Sequence, residues 1–186
     1  RGFKSTEAPP RWAVEDGLLP ITDADANQVD LVTDRSYSNF ELRLQWKVSP
    51  EANSGIMFNV SEAEDLARTW HSGPEVQILD NDNHPDAAEK HLAGDLSDLL
   101  PGWYRMGRET GKWNESRLRV NNNRVRHWLN DLLVFDVVLG SEDWDALVAG
   151  SKFADMPHFG TARNGVIALQ DHGDRVWFRS IRIKEL

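Results

Sequence analysis

Short segments of alternating apolar and polar residues, separated by turn-forming residues, recur along this chain and restrict what it can fold into. The clearest is FELRLQWKV at residues 40–48, in which every second residue is apolar. Successive side chains of a strand point to opposite faces of a sheet, so this segment is predicted to be a strand with one buried face. Repeated at intervals of often about ten residues, the pattern predicts an antiparallel two-sheet sandwich.

Seven further strands are predicted from the same alternation, at residues 55–60, 75–80, 115–121, 124–129, 132–139, 164–170 and 176–185. Asn121–Asn123 and Asn130-Asp131 are predicted to form tight hairpin turns, because Asn and Asp tolerate positive φ. One helix is predicted at residues 142–149, with Ser141 as its N-cap and Gly150 at its end. These elements indicate one all-β domain with short helical decorations.

Composition narrows the functional classes. The chain has 186 residues, the length of one domain. Its 30 acidic and 21 basic residues give a net charge of −9, which argues against a nucleic-acid partner. No apolar run approaches the roughly 18 residues of a membrane span. Cysteine is absent, which removes disulfides and thiolate chemistry, whereas eight tryptophans indicate stacking surfaces or a tryptophan-rich core.

Two segments place polar side chains where a strand could present them to a ligand. Glu75 and Gln77 share one face of a predicted strand, either a solvated outer face or the polar lining of a sugar groove. Gln170 and His172 share a face at the end of another strand, with Asp171 between them. Histidine is suited to proton transfer near neutral pH, although a lone histidine is more often structural. Trp70, Trp103, Trp128 and Trp177 are candidates for a groove, and tryptophan in a sandwich is as often buried packing.

The metal-binding signal is weak. The six histidines never form the close pair of a helical zinc site. The acidic loop Asp80–Asp86 offers oxygen ligands for calcium without the spacing of a recognised calcium loop. No cofactor is therefore predicted with certainty, and a divalent metal such as calcium stays an open alternative.

Five motifs resemble the 3-keto-disaccharide hydrolase domain family, in family order and across nearly the whole chain. They are NSGIMF at 53–58, GPEVQILDN at 73–81, GKWN at 111–114, HWLN at 127–130 and LQDHGDRVWFR at 169–179. The resemblance implies a concanavalin A-like jelly-roll sandwich and a bacterial protein exported to the periplasm or the cell exterior. Family members usually open with a further strand segment, so the resemblance predicts that the first strand is missing before Arg1. Asp131 stands where the family usually has glycine, which puts the geometry of that hairpin in question.

The family acts on glycosides already oxidised to a ketone at sugar position 3, which implies an oligosaccharide or glycoside as the partner of this chain. The ketone acidifies the neighbouring C–H, so a base can remove that proton, the aglycone leaves and water adds back. By resemblance, the catalytic residues are Glu75, Gln77 and His172, with Glu75 or His172 as the base. The predicted substrate contacts are Asn53, Asp80, His127, Trp128, Gln170 and Asp171.

Two other functions stay open at this stage. Glu75-x-Gln77-x-x-Asp80 faintly resembles the strand motif of jelly-roll glucanases, whose paired carboxylates cleave glycosides directly. A lectin-like sugar-binding module needs only tryptophan and polar groove residues, and a fold alone does not decide between binding and catalysis.

Overall fold

A computed structural model of the chain describes residues 1–22, 26–102 and 106–186. Within these ranges it contains ten strands and one α-helix, α1 at Glu142–Ala149. The strands are β1 Leu19–Pro20, β2 Leu31–Val32, β3 Phe40–Val48, β4 Asn53–Val60, β5 Glu75–Leu79, β6 Asn114–Asn121, β7 Arg124–Leu129, β8 Leu132–Val138, β9 Val166–Leu169 and β10 Val176–Glu185. No described helix has the length and apolar character required to cross a bilayer.

The strands form two antiparallel sheets, as predicted. The first has six strands in the order β1-β10-β3-β6-β7-β8, and the second has four in the order β2-β9-β4-β5. The predicted β-sandwich is confirmed. Strands β1 and β2 were not predicted, because two residues are too few to show an alternating pattern. They are strands because they pair with β10 and β9.

The core lies between the two sheets and follows from the alternation in the sequence. In β3 the apolar residues Phe40, Leu42, Leu44, Trp46 and Val48 are buried. Burying one such side chain contributes about 1.5–3 kcal/mol. From the four-stranded sheet, Ile56, Phe58, Val76 and Ile78 meet them in the same core cluster.

The outer face of the four-stranded sheet is divided into an apolar part and a polar part. Val32, Met57, Val60, Val166 and Ala168 form a second, smaller buried cluster with Phe3 packed against it. The polar part lies on β4 and β5, and in β5 the side chains on this face include Glu75 and Gln77 instead of apolar residues. This face is therefore partly covered, and its polar part carries the site described below.

The predicted hairpins and helix are confirmed. Asn122 and Asn123 connect β6 to β7 with φ values of 48° and 66°, and Asn130 and Asp131 connect β7 to β8 with φ values of 51° and 69°. Positive φ at both central residues is the geometry that suits tight hairpins. Asp131 thus adopts the conformation that glycine would provide. At the start of α1, the side chain of Ser141 accepts a hydrogen bond from the backbone N–H of Trp144.

Candidate functional site

A polar pocket of about 160 Å³ opens on the outer face of the four-stranded sheet. We call it the Glu75 pocket. Strands β4 and β5 form its floor, and its rim comes from the loops that follow β5, α1 and β9. The residues that line it are Asn53, Glu75, Gln77, Leu79, Asp86, His91, Ser97, Lys152, Gln170 and His172. All three predicted catalytic residues and two predicted substrate contacts, Asn53 and Gln170, are among them.

Strand register brings these side chains together. Gly55 of β4 pairs with Gln77 of β5, and Met57 pairs with Glu75, so all four lie on one face. On its other edge β4 pairs with β9, and the backbone N–H of Gln170, directly after β9, donates to the carbonyl of Gly55 at 3.0 Å. The end of β9 therefore lies beside the floor formed by β4 and β5.

The carboxyl group of Glu75 lies across Gly55. A Cβ atom added at Gly55 would be 1.7 Å from Oε1 of Glu75, so only glycine leaves room for this carboxyl. Oε1 is buried and has no hydrogen-bond partner. Loss of solvation raises the pKa of Glu75 to about 8, although the positive charge of Lys152 opposes the shift. A carboxyl with so high a pKa is a strong base once ionised and an acid at neutral pH.

Gln77 is held by hydrogen bonds at both ends of its amide. Ser97 Oγ donates to Gln77 Oε1 at 2.9 Å, and Gln77 Nε2 donates to Asn53 Oδ1 at 2.8 Å. The backbone N–H of Asn53 in turn donates to Asp174 Oδ2 at 2.9 Å. This chain of bonds makes Gln77 a rigid part of the pocket wall beside Glu75.

His172 and Lys152 are at the rim, where both are accessible to a ligand. The side chain of His172 is 50% exposed, with Nδ1 3.9 Å from Asp174 Oδ2. Lys152 is exposed, and its backbone N–H donates to Asp98 Oδ2 at 2.8 Å. The other oxygen of Asp98 is 3.3 Å from Nε2 of His91, which also lines the pocket. Asp98 thus ties two rim segments together.

Sequence reasoning did not identify Lys152, His91 or Ser97. None belongs to the motifs that marked Glu75 and His172, and Lys152 is more than seventy positions from Glu75 along the chain. Only the packing of the loop after α1 against the loop after β5 brings them to the pocket.

Two predicted substrate contacts, Asp80 and Asp171, lie outside the Glu75 pocket, although Asp171 lines a second cavity beside it. Asp80 is buried and accepts hydrogen bonds from the backbone N–H groups of Glu51 and Asp82. Asp171 is buried and accepts from Arg11 Nε at 2.9 Å. Neither lines the Glu75 pocket, because alternation along the chain turns both away from Glu75, Gln77 and Gln170.

His127 and Trp128 are also remote from the pocket, because both belong to the six-stranded sheet. His127 is completely buried between the sheets, bonded to Gly94 O and Ser116 Oγ, and burial lowers its pKa to about 3. Trp128 points to the opposite face of that sheet, where the guanidinium of Arg117 lies 4.5 Å from its ring centre. The structure therefore does not support substrate contact by either residue, and His127 is a core residue.

The remaining groove candidates differ in position. Trp177 lies on the outer face of the six-stranded sheet, with Lys47 Nζ 4.5 Å from its ring centre. Trp70 lines a second cavity next to the Glu75 pocket. Trp103 lies outside the described residues.

A metal site has no geometric support in the described part of the chain. Among residues 1–22, 26–102 and 106–186, no group of three or more His, Asp or Glu side chains is arranged to hold an ion. The carboxylate of Asp80, at the start of the acidic loop, is bonded to backbone and to Asn83 Nδ2 at 2.8 Å.

Comparison with known proteins gives a consistent family assignment. Residues 1–184 match the family described as the 3-keto-alpha-glucoside-1,2-lyase-like domain. A protein of Bacteroides thetaiotaomicron named 3-keto-disaccharide hydrolase is 33% identical over 214 aligned positions, which cover 100% of this chain and 74% of that protein.

Solved structures agree on the fold. The crystal structure of a candidate glycosyl hydrolase from Parabacteroides distasonis has a TM-score of 0.88 and 30% identity, covering 95% of this chain and 84% of that one. The carbohydrate-binding module CBM66 from Bacillus subtilis has a TM-score of 0.56 and 12% identity, covering 94% and 91% of the two chains. The second likeness concerns the fold alone.

Proposed function

The chain belongs to the 3-keto-alpha-glucoside-1,2-lyase-like domain family, and on that premise we propose that it cleaves 3-keto-glycosides or 3-keto-disaccharides by elimination followed by hydration. A glycosidase-type hydrolase is what the name of the Bacteroides relative indicates. The observation that carries the finer proposal is the Glu75 carboxyl, which is desolvated, lies over Gly55 and has a pKa near 8 in a pocket with Lys152 and His172.

Proton removal is the first step. Ionised Glu75 takes the proton from C2 of the 3-keto sugar, and the C–H electrons form the C2–C3 double bond of an enolate. The negative charge on the C3 oxygen is stabilised by the ammonium group of Lys152, the exposed cation at the rim. Gln77 takes no proton, because its amide is not basic. Its hydrogen bonds to Asn53 and Ser97 make it part of the wall against which the sugar rests.

Departure of the leaving group is the second step. The enolate electrons re-form the C3 carbonyl, a double bond forms between C1 and C2, and the bond from C1 to the glycosidic oxygen breaks. His172 supplies the proton that the leaving oxygen needs, because its exposed imidazole lies at the rim.

Hydration completes the reaction. Water adds to C1, which is activated by the conjugated ketone. His172, which gave its proton to the leaving group, takes the proton that the water loses, and Glu75 returns its proton to C2. The products are a 3-keto sugar and the free aglycone, so the net change is hydrolysis although no step is a direct displacement. This route uses one carboxylate, whereas direct glycosidases use two.

A direct, glucanase-like mechanism would need the second carboxylate of that motif in the Glu75 pocket, and it is not there. Asp80, the other acid of that motif, is buried and bonded to backbone N–H groups, and it does not line the Glu75 pocket. A sugar-binding module without activity is the stronger alternative, since the fold is shared with a carbohydrate-binding module.

Paired substrates separate these functions. A glucose disaccharide and its 3-keto derivative are incubated with the protein, with Glu75→Gln, and with the matched control Glu109→Gln, which changes an exposed glutamate. We expect cleavage of the 3-keto compound alone, a loss of roughly 10²–10⁴-fold in kcat for Glu75→Gln, and no loss for Glu109→Gln. A 3-keto substrate that carries deuterium at C2 should be cleaved more slowly in single turnover than the unlabelled substrate, because the C2–H bond breaks in the first step.

Each other outcome identifies a different function. Cleavage of the unoxidised disaccharide would indicate a direct glycosidase, and binding without cleavage would indicate a sugar-binding module. Equal single-turnover rates for the C2-deuterated and unlabelled substrates, with the label fully retained at C2, would refute elimination. Export to the periplasm or cell exterior stays a prediction of the family resemblance.

A further inference from the structure

A second and larger cavity adjoins the Glu75 pocket. Its volume is about 410 Å³, and it shares Gln170 and His172 with the Glu75 pocket. We call it the Trp70 cavity. Its other lining residues are Phe3, Gln28, Val29, Asp30, Ala67, Arg68, Thr69, Trp70 and Asp171. Protein cavities that hold a complete small ligand usually reach about 300–1,000 Å³, a range that the Glu75 pocket alone does not enter. A substrate larger than one ring must therefore extend beyond it, and the Trp70 cavity is contiguous.

Trp70 is unusual in its exposure. It is 36% exposed and is the only aromatic residue among the exposed large hydrophobic side chains of the described part of the chain. Its ring is nearly perpendicular to that of His71, with centres 4.3 Å apart. An exposed indole at the wall of a cavity presents a flat apolar surface, on which a ring with an apolar face can stack.

The segment that carries Trp70 is firmly anchored. Residues Thr69–His71 form a 3₁₀ turn, and the buried hydroxyl of Thr69 donates to the Asp30 carboxylate. The other oxygen of Asp30 accepts from the backbone N–H of Asp171 at 2.9 Å. The turn bearing Trp70 is thereby tied to the segment after β9 that carries His172, which fixes the position of the turn relative to the rim of the Glu75 pocket.

The rest of the cavity offers amides, and its exposed cation, Arg68, interacts electrostatically with the Asp30 carboxylate, where its charge opposes the rise in the pKa of Asp30 caused by burial. The amides of Gln28 and Gln170 line it, and Gln170 Oε1 is buried without a hydrogen-bond partner. The carboxylate of Asp30 is already occupied by its two partners. An apolar platform facing amides matches a neutral polyhydroxylated ring, whose hydroxyl groups can satisfy the free oxygen of Gln170.

From this arrangement we propose that the Trp70 cavity is the subsite for the leaving group and that it takes a neutral hexose stacked on Trp70. The assignment rests on the proposed function, because Glu75 must face the 3-keto ring and His172, at the boundary of the two cavities, protonates the oxygen between the rings. The second ring then lies on the Trp70 side.

Two substrates that differ only in the leaving group test this subsite. Both carry the same 3-keto-glucosyl ring, one with a hexose and one with methanol as the leaving group. Trp70→Ala should lower kcat/KM for the disaccharide by roughly tenfold or more and leave the methyl glycoside within about twofold. Trp70→Phe, which keeps an aromatic face, should recover most of the loss. Trp177→Ala, which removes a tryptophan from the opposite sheet, should affect neither substrate, with thermal melting to verify folding.

The possible failures are distinguishable. An equal effect of Trp70→Ala on both substrates, or no effect on either, would overturn the subsite while leaving the proposed function intact. Failure of the wild-type protein to cleave either compound would refute the proposed function. In that case calorimetry with the unoxidised disaccharide decides the sugar site: weaker binding to Trp70→Ala than to wild type supports it, and equal affinity overturns it.

Discussion

Glu75→Gln should abolish the loss of stability that the wild-type protein undergoes as pH rises, and it should also remove activity. Burial raises the pKa of Glu75 from an ordinary 4.5 to about 8 in the folded protein. Between these two values the unfolded chain is ionised and the folded chain still holds its proton. The folded state therefore binds more protons, and the wild-type free energy of unfolding falls as pH rises through this window. Glutamine does not titrate, so the variant lacks this loss.

The magnitude follows from the two pKa values. One pKa unit corresponds to about 1.36 kcal/mol, so the interval between 4.5 and about 8 sets an upper bound of about 5 kcal/mol. The loss is absent below pH 4.5 and complete above pH 8. Expressed as variant minus wild type, the difference in unfolding free energy should increase by up to that amount between pH 4 and pH 9. Whatever the amide costs sterically is common to all pH values and cancels.

Urea unfolding followed by tryptophan fluorescence at pH 4, 6, 7.5 and 9 measures this difference. Glu109→Gln is the control, since it makes the same chemical change at an exposed position, and its difference from wild type should stay within about 0.5 kcal/mol throughout. A Glu75→Gln difference that is the same at pH 4 and pH 9 would mean that the carboxyl is solvated in the folded protein. The basis for treating Glu75 as a desolvated base would then fail.

Three other predictions address the same pocket and the core. Gly55→Ala should lower kcat at least about tenfold, because the added Cβ would be 1.7 Å from Oε1 of Glu75 and the carboxyl would have to move. Steady-state kinetics measures this effect, with circular dichroism to verify that the variant is folded. Wild-type kcat/KM should rise with pH, with an inflection at about 8 where Glu75 ionises. The positive charge of Lys152 lowers the pKa of Glu75, so Lys152→Met should move that inflection to higher pH. An inflection at the same pH in both proteins would show that Lys152 does not affect the ionisation of Glu75. The wild-type free energy of unfolding should fall as pH drops from about 6.5 to 3, because burial lowers the pKa of His127 to about 3 and only the unfolded chain takes up a proton on this residue in that range. In chemical denaturation, the free energy of unfolding of His127→Gln should fall less steeply over the same range. An equal fall for both proteins would contradict the prediction.

Much of the fold could be predicted from local patterns. The alternation in residues 40–48 gave the bounds of β3, and β7 and β10 also match their predicted limits. Adjacent Asn and Asp residues located the hairpins, and Ser141 located the start of α1. These features depend on neighbours in sequence, so the sequence carries them directly. Strands β1 and β2 escaped prediction because each consists of two residues defined only by a distant partner.

The candidate site was predicted in part, and its errors have a common cause. Alternation placed Glu75 and Gln77 on one face of their strand, and Gln170 and His172 on one face at the end of another strand. The structure brings both pairs to the same pocket. It gave no indication of which sheet His127 and Trp128 would join, and they belong to the one without the pocket. Membership of a motif does not reveal the sheet to which a strand belongs.

By itself, the amino-acid sequence determined eight of the ten described strands, the hairpin turns and the family, because these are set by the spacing and type of residues close together in the chain. Tertiary structure alone decided that Lys152 approaches Glu75, that Gly55 makes room for its carboxyl, and that two cavities meet at His172. These relations join residues far apart in the chain. They arise when strand register and loop packing remove a carboxyl from water and surround it with groups that no local pattern connects.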